Sequence, residues 1–337
     1  MPTNIRDVAK RAGVAPITVS RVINNSGYVS HKTRVKVEAA IKALGYVPNM
    51  LGPSLRFRQT HTLALVVTDI ANPFWTTIAR GVEDEAQAKG YSTILCNTDE
   101  SVEKQAQYLD MLLRRRIDGM LLAPVRSAPE PVRLIQKQGV PVVVLDRLVP
   151  GVQVDTVRTD NTAGAYNLSK HLLDLGHRRI AMLAGPHGVS TSVDRVAGYN
   201  KALTDAGLPE SALCILWGEF SRKSGYELTR QLLQRSPLPT AVFAANNLVA
   251  IGVLEALREA NIPVPGQMAL VTIDDLQPAS LISPPLTVVN QPAREMGQRA
   301  ARLLLERIAG SAEGDCCRQI LLPTQMVIRA SSGGKIA

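Results

Sequence analysis

Aromatic side chains are scarce in this 337-residue chain, at 4% of all residues, and there are only four cysteines. Neither the cysteines nor the five histidines have the spacing of metal ligands, and the adjacent Cys316 and Cys317 are expected to be reduced bystanders rather than a redox-active pair. No GxGxxG, Walker A or GxSxG motif is present. We therefore expect no metal, no cofactor and no catalytic centre.

Long apolar runs are also absent, since none approaches the roughly 20 residues of a membrane-spanning helix. The first residues are polar and enter a predicted helix at once, which is unlike a signal peptide. These features predict a cytoplasmic protein with no membrane partner.

Basic charge is present, and it lies at one end of the chain. Residues 1–60 hold ten Lys and Arg against Asp7 and Glu38, so they carry +8 of the net charge of +9. The remainder has 28 basic and 27 acidic residues and is nearly neutral. This distribution predicts a polyanion partner for the amino-terminal segment and a neutral-surfaced globule after it. The alternative is a solvated basic tail, which would lack the apolar periodicity of this segment.

The basic segment predicts three short helices. Asn4 and Asp7 form a capping box at the start of the first helix, and Gly13 supplies the turn after it. Pro16 begins the second helix, and Ser30 caps the third. The inward-facing residues of the second and third helices are predicted to be Val19, Val22, Ile23, Val35, Val37, Ala40, Ile41 and Leu44. Three helices with a tight first turn indicate a helix-turn-helix, whose second helix enters the DNA major groove.

The outward face of the second helix carries the candidate DNA contacts. Its residues are Pro16, Ile17, Thr18, Ser20, Arg21 and Asn24. Arg21 can form a bidentate contact with guanine, and Thr18 or Ser20 can reach a phosphate or a base edge. Pro16 and Ile17 can offer only apolar contact, as with thymine methyl groups. For Ile17 the alternative is a place in the core of the head.

These residues also resemble a known family. The runs DVAKRAGVAPITVSRVIN and KTRVKVEAAIKALGYVPN, followed in order by ANPFW, DR, TDN, GHRRIAMLAGP, RVAGYNKAL, AANN, DD and PPLTVVNQP, are similar to the lactose-repressor (LacI/GalR) family of bacterial transcription regulators. The resemblance spans about residues 4–330. It implies further DNA contacts at Ile5, Ser30, Thr33 and Leu55, of which Leu55 would wedge into the minor groove at the centre of the operator.

Two features of the head depart from the family pattern. Ala15 stands where the family usually places Ser, so a side-chain cap worth about 1 kcal/mol is lost before the second helix. The hinge, residues 48–60, contains Gly52 and Pro53, which are poor mid-helix residues. The hinge helix then begins only at Pro53 or is less ordered than usual, and the further alternative is a plain linker.

After the hinge, short apolar runs alternate with amphipathic stretches, which is typical of parallel sheets with crossover helices. The resemblance implies a sensor with two α/β lobes, like periplasmic sugar-binding proteins, joined by three crossovers. The expected fold class is therefore an all-α helix-turn-helix head plus a two-lobed α/β sensor. The head spans 1–47 and the sensor 61–337, with lobe one at about 61–158 and 290–330 and lobe two at about 159–289.

Ligands of open α/β sheets bind at the carboxyl ends of strands. Polar and aromatic residues fall there and match the effector positions of the family: Phe74, Trp75, Asp146, Arg147, Asp160, Thr191, Arg195, Phe220, Asn246 and Asp274. For Phe74 and Trp75 the alternative is a core position, and for Arg147 a structural role. Thr272, Ile273 and Asn247 depart from the family pattern, and the two arginines hint at an acidic sugar.

The expected function is a transcriptional regulator, most simply a repressor, whose affinity for operator DNA is set by a carbohydrate-like effector bound between the lobes. The resemblance implies a homodimer on a pseudo-palindromic operator. Two alternatives remain: a cytoplasmic sugar-binding module or enzyme that carries a DNA-binding head, and a nucleoid-style architectural protein.

Overall fold

The structure is a computed structural model that describes residues 3–47, 59–276, 279, 282–310 and 316–334. The chain divides into two compact units, with the boundary between Thr60 and His61. Within the described ranges, no helix is both long enough and apolar enough to cross a membrane.

The head forms the three predicted helices, α1 (Ile5–Ala12), α2 (Pro16–Ile23) and α3 (His31–Leu44). The Asn4 side chain accepts hydrogen bonds from the backbone N–H groups of Arg6 and Asp7, and the Asp7 carboxylate accepts one from the Asn4 N–H over 2.9 Å. Gly13 ends α1 in the left-handed region at φ 67°. The predicted capping box is therefore confirmed, and it fixes where the first helix begins.

The core of the head contains most of the predicted apolar residues. Its buried members are Val8, Ala9, Val19, Val22, Val37 and Ala40. The prediction for Val35 was wrong, because this side chain is 50% exposed. Two residues correspond to about 200° around a helix, so Val35 lies opposite Val37 on α3. No side chain caps α2 at Ala15, and Pro16 occupies its first turn.

The second unit alternates strands and helices as predicted. In chain order its elements are β1 (Thr62–Val67), α4 (Pro73–Ala88), β2 (Ser92–Asn97), α5 (Val102–Arg114), β3 (Gly119–Leu122), α6 (Glu130–Lys137), β4 (Val142–Leu145), β5 (Asp155–Thr159), α7 (Asn161–Asp174), β6 (Ile180–Ala184), α8 (Ser190–Asp205), β7 (Cys214–Trp217), α9 (Arg222–Leu232), β8 (Ala241–Ala244), α10 (Asn247–Glu259), β9 (Ala269–Ile273), β10 (Thr287–Asn290), α11 (Ala293–Ile308), β11 (Gln319–Leu322) and β12 (Gln325–Val327).

The strands form two six-stranded sheets, one in each lobe. Their orders are β11-β5-β4-β3-β1-β2 in lobe one and β12-β10-β9-β8-β6-β7 in lobe two. All neighbours are parallel except β10 and β12. The chain passes between the sheets three times, after β5, β10 and β11. Helices cover both faces of each sheet, so successive residues of β1 alternate between two separate hydrophobic cores.

The expected extent of lobe one at the end of the chain was wrong in one part. Residues 290–330 were assigned to lobe one, but Gln325–Val327 pairs antiparallel with β10 in the sheet of lobe two. Pro323 divides the apolar run QILLPTQMVI into two strands that lie in different sheets. β5 was not predicted either, because its sequence DTVRT interrupts the apolar pattern with charges.

Candidate effector cleft and DNA-binding face

A cleft with about 380 Å³ of empty space lies at the carboxyl ends of the strands of both lobes. It contains nine of the ten residues predicted from the sequence; only Asp160 is missing. The lining residues are Thr68, Asp69, Asn72, Phe74, Trp75, Glu100, Asp146, Arg147, Thr191, Arg195, Phe220, Asn246, Asp274 and Gln291.

Asp146 and Asp274 occupy equivalent positions in the two lobes. Each directly follows a buried strand, and each backbone N–H donates to the next strand over 2.9 Å, Asp146 to Val157 and Asp274 to Val289. Both have left-handed backbone conformations, with φ at 63° and 66°. Aspartate tolerates this region better than most residues because its short polar side chain can hydrogen-bond locally. The turns therefore hold one carboxylate from each lobe in the cleft.

Both carboxylates are removed from water. Burial raises the pKa of Asp274 to about 6, against the lowering effects of Arg195 and of a 2.9 Å hydrogen bond from Gln291 Nε2 to its Oδ1. Burial also raises the pKa of Asp146, although Arg195 and Arg147 act in the opposite direction. Asp146 Oδ1 is buried and has no hydrogen-bond partner among the described residues. An acceptor in this condition suits a ligand hydroxyl.

Arg195 is buried and close enough to both carboxylates for their charges to act on it. Its Nε donates to Asn161 Oδ1 over 2.8 Å and its Nη1 to the Ala245 carbonyl over 2.9 Å. Burial lowers its pKa, while Asp274 and Asp146 raise it. The guanidinium carbon lies 5.6 Å from the ring centroid of Phe220, within cation–π range. These contacts fix the guanidinium in one orientation.

Both Nη atoms of Arg147 are paired within the protein, whereas its buried Nε has no partner among the described residues. Its guanidinium forms an ion pair with Glu100, at 2.5 Å and 3.0 Å, and donates to the carbonyls of Pro124 and Val125. With Glu100 and Asp69 included, four carboxylates and two guanidiniums line the cleft. The hint of an acidic sugar came from two arginines, and the sequence did not reveal that Glu100 neutralises one of them.

Aromatic rings supply flat surfaces in the cleft. Phe74 and Trp75 are buried and meet edge to face at a centroid distance of 5.0 Å. Phe220 comes from lobe two and packs so closely over Gly185 that a Cβ there would overlap its ring. Aromatic faces of this kind stack on the apolar faces of sugars and bases.

Five lining residues that carry polar groups were missed from the sequence: Thr68, Asp69, Asn72, Glu100 and Gln291. Asn72 caps α4, accepting from the Phe74 N–H over 3.0 Å. The Asn-Pro pair at 72–73 is an N-cap signal that could have identified it. Gln291 accepts a hydrogen bond from Thr159 Oγ1 and so connects Asp274 to the first crossover.

The other predicted residues have structural contacts. Asp160 does not line the cleft; it caps α7 by accepting from the Ala163 N–H over 2.8 Å. Asn246 caps α10 through the Val249 N–H over 2.9 Å and also faces the cleft. Of the departures from the family pattern, Thr272 and Ile273 are buried in the β9 strand. Within the described ranges, no cluster of His, Cys, Asp or Glu could hold a metal ion.

The candidate DNA-binding residues of the head lie mainly on the surface. Pro16, Ile17 and Arg21 are exposed, Ile17 at 58%, which excludes the core position considered for Ile17. Thr18, Ser20 and Asn24 are half-buried, and Asn24 Nδ2 donates to Ser20 Oγ over 3.2 Å. Tyr28, 90% exposed, was not predicted and adds a candidate contact.

The remaining predicted head residues have contacts within the head. Ile5 is partly buried against the core of the head. Ser30 Oγ caps α3 by accepting from the Thr33 N–H, and the two hydroxyls lie 2.9 Å apart. The predicted contact at Leu55 lies outside the described residues.

Comparisons with known proteins match most of the chain. Residues 4–49 match the family described as bacterial regulatory proteins, lacI family, and residues 60–330 match periplasmic binding proteins and sugar binding domain of LacI family. The ribose operon repressor of Escherichia coli (strain K12) is 37% identical over 305 residues, which covers 90% of this chain and 92% of that protein.

Two solved structures of related regulators are similar to this chain. The lac repressor dimer bound to operator and the anti-inducer ONPF has a TM-score of 0.86 at 30% identity, covering 98% of this chain and 99% of that one. A LacI family transcriptional regulator from Enterococcus faecium with bound ribose has a TM-score of 0.74 at 34% identity, covering 82% of this chain and 100% of that one.

Proposed function

This chain belongs to the lacI family of bacterial regulatory proteins and is a DNA-binding transcriptional regulator with a ligand-binding domain, and we propose that it is a repressor whose operator affinity is set by a neutral monosaccharide. It acts as a homodimer on a pseudo-palindromic operator, in the cytoplasm where that DNA lies. The exposed face of α2, with Arg21 at its centre, reads the major groove of each half-site.

The observation that carries the choice of ligand is the charge of the cleft. Since Glu100 neutralises Arg147, the charged groups left to meet a ligand are Arg195 and the carboxylates of Asp69, Asp146 and Asp274. A sugar acid would bring another carboxylate against this surplus of negative charge. A neutral sugar instead donates its hydroxyl protons to the aspartates and accepts from Arg195.

Two relatives restrict the choice of ligand further. The repressor of the Escherichia coli ribose operon and the ribose-bound Enterococcus faecium regulator are relatives over most of their length. Ribose is therefore the first sugar to test.

The deciding experiment is isothermal titration of the full-length chain with ribose, other neutral monosaccharides, gluconate and ribose 5-phosphate. A neutral sugar should bind, and Asp274→Ala should abolish binding. Asp110→Ala, which removes an exposed carboxylate paired with Arg114, should leave it unchanged. Preferential binding of gluconate or ribose 5-phosphate would contradict the assignment of a neutral ligand.

Regulation is tested with fluorescence anisotropy on an operator selected from a random DNA pool. The bound sugar should change the dissociation constant of the operator at least fivefold, the usual lower limit of allosteric coupling. DNA affinity should also fall steeply with salt, with a slope of about −0.9 per phosphate contacted. A sugar that binds without changing operator affinity would disprove its role as effector.

A further inference from the structure

A second pocket lies in lobe two at the amino-terminal ends of its strands, opposite the edge that forms the cleft. The neighbouring order β7-β6-β8 places the segments that enter these three strands side by side. The pocket has about 950 Å³ of empty space, and we call it the arginine pocket. Its lining residues are Arg178, Arg179, Ile180, Ser211, Ala212, Leu213, Cys214, Arg235, Ser236, Pro237 and Pro239.

Three guanidinium groups line the arginine pocket and no carboxylate does. In the described part of the chain, none of the three forms an ion pair. Elsewhere in the sensor, arginines such as Arg307 and Arg329 are paired with carboxylates. The pocket therefore concentrates positive charge that the protein itself leaves unneutralised.

One of the three arginines has an ordinary structural role. Arg178 Nη1 donates to the carbonyls of Leu173 and His177 over 2.8 and 3.0 Å. Leu173 lies in the last turn of α7, where backbone carbonyls need donors and positive charge is favourable. A capping role explains Arg178 but does not extend to Arg179 or Arg235.

Arg179 and Arg235 are exposed and are each anchored by a single contact. Arg179 Nε donates to the Leu238 carbonyl over 3.1 Å, and Arg235 Nη1 to Cys214 Sγ over 3.3 Å. No described residue accepts from either Nη of Arg179, or from Nε and Nη2 of Arg235. A guanidinium fork held at one edge presents its other N–H groups in the geometry that matches two phosphate oxygens.

We propose that the arginine pocket binds a small phosphorylated molecule that carries at least two negative charges. Two guanidinium forks supply the charge, the hydroxyls of Ser211 and Ser236 add donors, and Pro237 and Pro239 stiffen the rim. The site is separate from the sugar cleft, since the two lie at opposite ends of the same sheet and share no lining residue.

Cys214 gives a local measure of occupancy because it lines the pocket. We would alkylate the full-length chain with iodoacetamide at constant ionic strength and follow each cysteine by peptide mass spectrometry, with inorganic pyrophosphate as the probe. Pyrophosphate should slow the labelling of Cys214 and leave that of the exposed Cys316 unchanged. Equal labelling of Cys214 with and without millimolar pyrophosphate would overturn the proposal.

Substitution locates the binding groups. Arg179→Ala should raise the pyrophosphate concentration for half-protection of Cys214 at least tenfold. Arg133→Ala is the matched control: it removes the same charge from an exposed arginine that donates to one carbonyl, that of Gly151, in lobe one. If both variants lost the protection of Cys214 equally, net charge alone would explain the effect of pyrophosphate, and the proposed site would be overturned. Asp274→Asn alters the sugar cleft and should leave the protection of Cys214 by pyrophosphate intact. The two proposals can therefore fail independently of each other.

Discussion

Asn247 Nδ2 donates a hydrogen bond to Asn72 Oδ1 over 3.0 Å, and this bond joins lobe two to lobe one across the mouth of the cleft. Both side chains are buried, and both stand at the first turn of a helix. The same Asn72 oxygen also accepts the Phe74 N–H, so the start of α4 is tied to the partner lobe. Any motion that separates these two helix starts would break the bond.

We predict that Asn247→Ala weakens sugar binding about two- to tenfold. A net hydrogen bond contributes about 0.5–1.5 kcal/mol, and separation of the lobes would lose that contribution. Isothermal titration with ribose measures the effect. Asn200→Ala, an amide on α8 whose Oδ1 has no partner among the described residues, is the control. Unchanged affinity in Asn247→Ala would mean that the bond does not help closure.

The raised pKa of Asp274 predicts that sugar binding depends on pH. Its pKa is about 6 in the folded protein, so the carboxylate ionises between pH 5 and 7. Sugar hydroxyls donate to the ionised form, and the affinity for ribose should therefore rise over this interval. Asp274→Asn should bind more weakly and without this pH dependence. A variant that kept the pH profile of the native chain would assign it to another group.

The raised pKa of Asp274 also predicts that the free energy of unfolding depends on pH. The native state holds the Asp274 proton more tightly than the unfolded chain, whose pKa is 3.8, so the free energy of unfolding falls as pH rises from about 4 to 6. The full effect is on the order of 2–3 kcal/mol. Urea unfolding of the unliganded chain measures the free energy of unfolding at pH 4.5 and at pH 7. The decrease between the two pH values should be smaller in Asp274→Asn than in the native chain. Equal decreases in both would refute the linkage.

Helices α4 and α11 cross where two glycines meet. A Cβ on Gly81 would collide with the Arg294 carbonyl oxygen, and one on Gly297 with that of Ile78. We expect Gly81→Ala to lower the free energy of unfolding by about 1–3 kcal/mol, the usual cost of overpacking. Gly266→Ala is the control, because the nearest atom to its Cβ would lie at 3.4 Å. Urea unfolding that ranked the two variants equally would exclude steric contact as the cause.

In the head, Arg21→Ala should weaken operator binding by about 1–3 kcal/mol and relax the preference at one base position. The Arg21 side chain is exposed on α2. Its Cδ and Nε atoms lie beside Gly27, 3.7 Å from the position that a Cβ on this glycine would occupy. Anisotropy titrations with operators altered one base pair at a time would measure this. A uniform loss on every operator would instead identify Arg21 as a phosphate contact.

Much of the cleft was predictable because it depends on local patterns. Asp146, Asn246 and Asp274 each follow an apolar run, and in parallel sheets the carboxyl ends of neighbouring strands meet at one edge. Asp160 was wrongly included because the same position can equally cap a helix. Glu100 and Gln291 were missed because their partners, Arg147 and Asp274, are 47 and 17 residues away.

The helices of the head, the alternation of strands and helices, and the separation of basic from neutral charge could all be predicted, because each follows from neighbouring residues. Tertiary structure alone decided which charges remain available. It paired Glu100 with Arg147, left Asp146 Oδ1 without a described partner, and brought Arg179 and Arg235 together without a carboxylate. The physical reason is that electrostatic balance depends on distances between residues far apart in the chain, which only the folded sheet order sets.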